Sequence, residues 1–495
     1  MKFELMLTSN SNTGNRDSRY AYGVMFLCIT ALGTFAMAAR SVVDPDVWWH
    51  LRTGQLILQN HAIFYTDPYS FTAFGRPWIN HEWLSDVLMY GLYSMGSWPA
   101  LIVAFACFAS VALVLAFLRC KASPAVAAMV TICCATATMP SLGARPQVIS
   151  FLLIGIFLAI LDWSEQRPSI LAFLPLLMLF WVNLHAGYAA GIALIVIYLA
   201  GAALDAAFGI ATWEQANIRL QKLGMVLIVC LAVIPLNPYG FKMFGYPFET
   251  LRSQAMQNLI QEWASPNFHE LKHAPALVLL LAILAIFALK PRRVLPSEIL
   301  LLLATVMGAM FSVRHIPILA LAAIPILSRM LQEQVGEFSQ IQTSNLRLDP
   351  RKLILNGAIV VGLLVFVTVR VIRLNNLQLK SETANFPTGA VTFLLEQNIK
   401  GRLLNPYDWG GYLIWKLYPN TQVFIDGRAD VYGDKLIDQS VASYYLRGSW
   451  DIPLKSWPIK TALLPAQAPL VQGLQAHGWG PIYADHQAVV LQHSD

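Results

Sequence analysis

Residues 21–54 read AYGVMFLCITALGTFAMAARSVVDPDVWWHLRTG. An uncharged, mostly apolar run ends at Ala39, and the chain turns at once to two carboxylates, two tryptophans, a histidine and two arginines. A helix that crosses a bilayer needs about 20 mostly apolar residues, so the run reads as a first membrane span with a polar cluster at its end. "AMAAR" has the small residues of a cleavage site. The apolar run is nevertheless longer than a typical signal-peptide core, and its polar lead is long, so the span is expected to be uncleaved.

Composition points the same way. Of 495 residues, 56% are hydrophobic and 13% are charged, where a soluble domain carries about a quarter charged. Mean hydropathy is +0.54. The formal net charge of +6 fits basic residues held beside a bilayer. No basic run interleaved with aromatics occurs, which sets nucleic acid aside as a partner. The six cysteines lie in or beside apolar segments without metal-ligand spacing and read as small buried residues.

Candidate spans fall near 21–39, 98–118, 122–140, 147–163, 169–184, 188–207, 224–236, 275–290, 298–313, 316–330 and 353–372. The expected fold is therefore an α-helical polytopic membrane protein of about eleven spans. Lys2, Arg16 and Arg19, then Arg119, Lys121, Arg167, Arg219, Lys222, KPRR at 290–293 and RLDPRK at 347–352 alternate onto one side. The excess of Lys and Arg makes that side the cytoplasm, with the N-terminus in and the C-terminus out. All ten histidines fall on the opposite side, so groups that titrate near neutrality collect on the extracytoplasmic face.

From about residue 376 the character changes. The strand-like runs RLLN, QVFID, TALLP, PIYAD and AVVLQ alternate with the helical runs AVTFLLEQN, LIDQSVASYYLRG and LVQGLQAH. A multispan domain, 1–372, with a first outer loop at 40–97, is thus expected to precede a small extracytoplasmic α/β domain, 373–495, with a mainly parallel sheet. The polar linker 331–352 reads as a cytoplasmic loop with a short surface helix.

Polar groups gather at the outer ends of the spans. The first loop brings Asp44, Asp46, His50 and Arg52, then His81 and Glu82 ahead of an amphipathic interfacial helix. Later turns add Arg145, His185, Glu262, Arg314 and His315. A charge at the bilayer centre costs about 2.5–3.5 kcal/mol on insertion scales. An arginine in a turn a few residues long between two spans therefore needs a reason, and an anionic ligand at the interface supplies one. Asp44 and Asp46 straddle Pro45; they can reach one pocket, or Asp44 can cap a helix with Pro45 at its first position. Arg145 and Arg314 can bind phosphate or be positioned by carbonyls or a buried acid. Arg52 reads as a solvated or headgroup residue, and Trp48 and Trp49 as belt aromatics.

Such a site suits a sugar carried on a polyprenyl phosphate. The phosphate is already a good leaving group and needs cations, while the acceptor hydroxyl needs a base on the other side of the anomeric carbon. A glycosidase would want two carboxyls flanking the bond. Few acids among many cations favours transfer with inversion.

An acidic first outer loop, an interfacial helix after it and an outer C-terminal domain together resemble the GT-C glycosyltransferases. These include the oligosaccharyltransferase catalytic subunits, the protein O-mannosyltransferases and the lipid A aminoarabinose transferases. DVWWHLR, 46–52, is similar to the oligosaccharyltransferase first-loop motif D-P-W-F-N-Y-R, which would make Asp46 the catalytic aspartate. NPYDWGGYLIW, 405–415, followed by VFIDGRADVY, is similar to the W-W-D-Y-G region that holds the acceptor. The resemblance implies that Tyr407, Asp408, Trp409, Asp426 and Arg428 face the acceptor, with Asp430 nearby. DWGGY also reads as a strand-to-helix turn with Asp408 as cap.

The second outer loop departs from that pattern. Where the oligosaccharyltransferase has acids that help to hold a divalent metal, this chain has PSLGARPQ, with Arg145 and no carboxylate, as in the mannosyltransferase arrangement. The chain also resembles bacterial multispan proteins carrying DPDxWWH and FIDGRADVYG, a likeness that adds no activity.

The resulting expectation is a glycosyltransferase of a bacterial inner membrane that uses no metal or other cofactor. Asp46, or else Asp44, would be the base, and Arg145, His185, Arg314 and His315 would hold the donor phosphate. His50, His81 and Glu82 would support them. The C-terminal domain would close over a glycan, lipid or protein acceptor. The alternatives are a surface-polysaccharide polymerase or ligase, and a non-catalytic carrier of lipid-linked glycan.

Overall fold

The computed structural model describes residues 13–253, 256–257, 262–289, 294–339 and 350–493. Lys2, KPRR at 290–293 and the linker from 340 to 349 lie outside the described residues, and the helix Ile316–Ser339 runs through the linker's first part. Nine helices among the described residues are long and apolar enough to cross a membrane. Two shorter apolar stretches, Pro168–Leu184 and Pro296–Phe311, occupy the other two expected positions. Pro146–Trp163 and Val313–Gly336 are each 67% buried while Ile354–Asn385 is 6% buried, so the first two form the bundle's centre and the last stands at its edge. The helix Trp83–Arg119 breaks at Gly96 and Ser97, which separates the expected interfacial segment from the span that follows.

Proline sets where several helices begin. It occupies the first helical position of Pro124–Thr138, Pro146–Trp163 and Pro296–Phe311, where its missing N–H costs nothing. The residue before a proline is driven to extended backbone. Arg145 obeys this (φ −141°, ψ 143°) and stands just ahead of the helix Pro146–Trp163.

The helix Pro350–Asn385 carries the chain into the C-terminal domain. There β1 (Gly401–Leu404), β2 (Thr421–Val423), β3 (Thr461–Pro465), β4 (Trp479–Ala484) and β5 (Ala488–His493) form one sheet in the order β2-β1-β3-β5-β4. The expectation of a mainly parallel sheet is corrected. β1 runs parallel to β2 and β3, but β5 is antiparallel to both β3 and β4. The reason is the length of the β4–β5 link, which is too short for a crossover and is closed by Asp485 accepting from the Gln487 and Ala488 N–H groups at 2.8 and 2.7 Å.

The first loop is fastened to this sheet. The Phe71 N–H donates to the Val423 carbonyl (3.1 Å) and the Val423 N–H to the Tyr69 carbonyl (3.2 Å), covering the β2 edge. Arg52 is not a headgroup residue: it donates to the carbonyls of Trp415 (2.6 Å) and Tyr418 (3.2 Å) in the C-terminal domain. Trp48 is not a belt aromatic either, being fully buried edge-on against Trp98, Phe386 and Tyr412.

Candidate active site

A cavity of about 340 Å³ opens where the helical bundle meets the C-terminal domain. Asp44, Asp46, His50, His81, Glu82, Arg145, His185, Arg314 and His315 all line it, joined by Glu262 and by Gly427, Arg428 and Asp430 of the C-terminal domain. Arg145, His185, Arg314 and His315 each stand in a turn between two helices of the bundle, so residues far apart in sequence converge there.

Asp46 stands at the start of the helix Val47–Asn60, but its side chain makes no capping bond. Asp44 takes the local duty instead, accepting from the Asp46 N–H at 2.8 Å. The Asp46 carboxylate is left with one long bond, from Trp49 Nε1 at 3.2 Å. Burial and the neighbouring Asp44 push it up to about 7, against the opposing pull of His50 and Arg145. Its other neighbour is Gly427: a Cβ at that position would overlap Asp46 Oδ1, so only glycine lets the carboxylate lie against this backbone.

Arg145 bridges two acids, pairing through Nε with Asp44 and through Nη1 with Glu262. Arg314 Nε reaches the other Glu262 oxygen at 3.1 Å, and its guanidinium lies over the Trp263 ring at 4.7 Å. Burial would raise Glu262, but the two guanidiniums outweigh it and hold the carboxylate down at about 2. The lining holds more acids than the few that were expected, though basic residues still outnumber them. Five carboxylates (Asp44, Asp46, Glu82, Glu262 and Asp430) face three arginines and four histidines in the lining.

Glu82 meets three imidazoles, with His81 Nε2 at 3.2 Å, His185 Nε2 at 3.3 Å and His50 Nε2 at 3.4 Å. Burial would raise its pKa, and the three rings drive it well below the usual carboxylate range instead. His50 is held from behind by Asp86 at 2.6 Å, which in turn accepts from Asn80 at 2.8 Å. Burial opposes the charge on His50, yet Asp86, Glu82 and Asp46 keep its pKa above the ordinary value. His185 is different. Its Nδ1 accepts from the Gly187 N–H at 2.9 Å, so Nε2 carries the hydrogen toward Glu82, and burial takes the ring down to about 3.

The residues matched to an acceptor site divide. Arg428 lines the cavity, but its guanidinium is sealed. It pairs with Asp426 through bonds of 2.8 and 2.7 Å and with Asp67 at 2.8 Å, between the rings of Tyr69 and Trp78. Asp426 is fully buried and also accepts from the Tyr432 hydroxyl. Trp409 is buried and donates to the Asn385 carbonyl at 3.2 Å, while Tyr407 donates to the Gly427 carbonyl at 2.9 Å. Asp408 is exposed and, like Tyr407, Trp409 and Asp426, does not line the cavity. Tyr407, Tyr432 and the Arg428–Asp426 pair fasten the FIDGRAD turn that carries Gly427 to Asp46.

Asp430 itself is exposed to the cavity, with one bond, from the Tyr246 hydroxyl at 3.3 Å. Asp86 and Tyr246 carried no legible sequence signal, since each looks like an ordinary polar residue on a helix. Among the described residues no three His, Cys, Asp or Glu side chains are grouped to hold a metal ion.

No protein-family model and no curated protein matches the chain. Solved structures do. The fold is similar to the Archaeoglobus fulgidus oligosaccharyltransferase in the apo form, at 10% identity and a TM-score of 0.55, over 90% of this chain and 69% of that one. It is similar to the same organism's archaeal oligosaccharyltransferase AglB in complex with an inhibitory peptide and a dolichol-phosphate, at 10% identity and 0.56, over 96% and 74%. ArnT from Cupriavidus metallidurans bound to undecaprenyl phosphate matches at 12% identity and 0.50, over 95% of this chain and 97% of that one. At such identities the likeness is one of fold: a multi-pass helical membrane protein with a C-terminal domain, built like these three structures.

Proposed function

We propose that this protein is an inverting glycosyltransferase that moves a sugar from a polyprenyl-phosphate-linked donor to an acceptor at the extracytoplasmic face of a bacterial inner membrane. One observation carries the reading: in a GT-C-like fold, a single cavity holds a weakly partnered carboxylate, Asp46, together with two guanidiniums from separate interhelical turns. Asp46 takes the proton of the acceptor hydroxyl as its oxygen attacks the anomeric carbon. The bond to the donor phosphate breaks, and Arg145 and Arg314 meet the charge left on that phosphate. A base near 7 is matched to work at neutral pH. Arginines supply the charge here, so the step is written without a metal. The binding of undecaprenyl phosphate by ArnT and of a dolichol-phosphate by AglB supports a lipid-linked donor.

The test is transfer from an undecaprenyl-phosphate-linked sugar by the protein reconstituted in liposomes. Asp46→Asn should lose about 10²- to 10⁴-fold in rate, the usual worth of a general base, with donor binding intact. Retained turnover in both Asp46→Asn and Asp44→Asn would sink the assignment. A polymerase relying on Arg and His, or a carrier, would keep its function in these variants.

A further inference from the structure

Among the described residues, each cation lining the cavity is already matched by an acid of the same chain. Arg428 lies between Asp67 and Asp426, His50 and His81 lie against Glu82 and Asp86, Arg145 spans Asp44 and Glu262, and Arg314 meets Glu262. An arriving phosphodiester therefore finds no spare positive charge. To bind beside the arginines it has to replace a carboxylate.

Glu262 is the carboxylate placed to yield. Its oxygens receive Arg145 Nη1 on one side, and Arg314 Nε at 3.1 Å and Gln147 Nε2 at 3.4 Å on the other. Several donors from separate turns closing on one small anion is how a phosphate is held. Its side chain is 28% exposed, against 15% for Asp44, 12% for Glu82 and none for Asp67 and Asp426. The backbone is secured separately, for the Glu262 carbonyl accepts from Ser312 Oγ at 2.8 Å and from the Arg314 N–H at 3.3 Å. The side chain can swing out while the segment stays. Acid does not release it at any physiological pH, since the guanidiniums keep it ionised down to about 2.

We propose that Glu262 occupies the donor-phosphate place in the resting protein and is exchanged for the donor, so that it acts as a specificity residue against phosphates that lack a lipid tail. The inference rests on the reading above, that Arg145 and Arg314 hold the donor phosphate. A tethered anion competes at a high effective concentration. Inorganic phosphate or a water-soluble sugar phosphate brings only its own charge and fails to displace it. A polyprenyl phosphate also gains the burial of its tail, which tips the exchange.

The experiment is calorimetric titration of the purified full chain in detergent with inorganic phosphate and, separately, with undecaprenyl phosphate. Wild type should bind only the lipid. Glu262→Gln should bind the lipid at least about tenfold more tightly, equivalent to about 1.4 kcal/mol, and should acquire binding of inorganic phosphate. Glu262→Asp keeps the charge and should still exclude inorganic phosphate, while Arg145→Ala should weaken the lipid. Unchanged binding of both ligands by Glu262→Gln and by Glu262→Ala, with the Arg145→Ala loss preserved, overturns the exchange and leaves the donor site standing. Equal lipid affinity in wild type and Arg145→Ala removes the donor-site reading, and the exchange falls with it.

Discussion

Two sets of arginines face the same cavity and do different work. Arg428 is sealed between Asp67 and Asp426, all with side chains at most 1% exposed, while Arg145 and Arg314 are 19% and 28% exposed and share Glu262. The chemistry of the pairs is the same, and burial separates their roles. A sealed guanidinium cannot exchange its partners without stranding charge in a dry interior, so Arg428 is a strut that ties the first loop to the C-terminal domain. An open one can trade a carboxylate for a phosphate.

The largest expected contrast is between Arg428→Ala and Arg145→Ala. Removing one member of a buried ion network costs about 3–5 kcal/mol. Arg428→Ala should therefore melt well below wild type and lose transfer because the fold is lost. Arg145→Ala should melt close to wild type yet lose about 10²- to 10³-fold in turnover, the range for removal of a charge-stabilising donor. Similar melting curves for the two variants would break the comparison.

Gly427→Ala sharpens it, because this glycine joins the strut to the base. The added Cβ must push the Asp46 carboxylate aside, and a displacement of about 1 Å can cost about 10²-fold in rate. Thermal denaturation should change little.

A smaller effect is set by pH. Asp46 is raised from 3.8 to about 7, so transfer should be half-maximal near pH 7 and fall about tenfold per unit below it. The native state binds this proton more tightly than the unfolded chain does, so the group's contribution to stability declines as pH rises from about 4 to 7. Asp46→Asn should consequently melt higher than wild type at pH 8, the opposite of Arg428→Ala.

Asp86→Asn should have the smallest effect. It withdraws the anion that raises the pKa of His50, and the weaker pull of His50 on Asp46 should move the acid limb of the rate profile upward with little change in the maximum.

Much of the molecule was legible in one dimension. Hydropathy gave the helical segments, because a bilayer span must be apolar whatever it packs against. Proline marked several helix starts, and the period of the tail gave its strands and helices. The short cation-bearing turns pointed to Arg145, His185 and Arg314, which do share a cavity with Asp46. The direction of β5 was lost because a sheet's pairing depends on partners distant in sequence.

What the sequence determined alone were the local properties, namely which segments are apolar and where their ends carry charge. Only the tertiary structure decided which charge faces which: that Glu262 clasps two arginines, that Arg428 is sealed from the cavity's open space, and that Gly427 abuts Asp46. The physical reason is that a side chain's ionisation and availability are set by burial and by neighbours within a few ångströms, and those neighbours come from segments hundreds of residues apart.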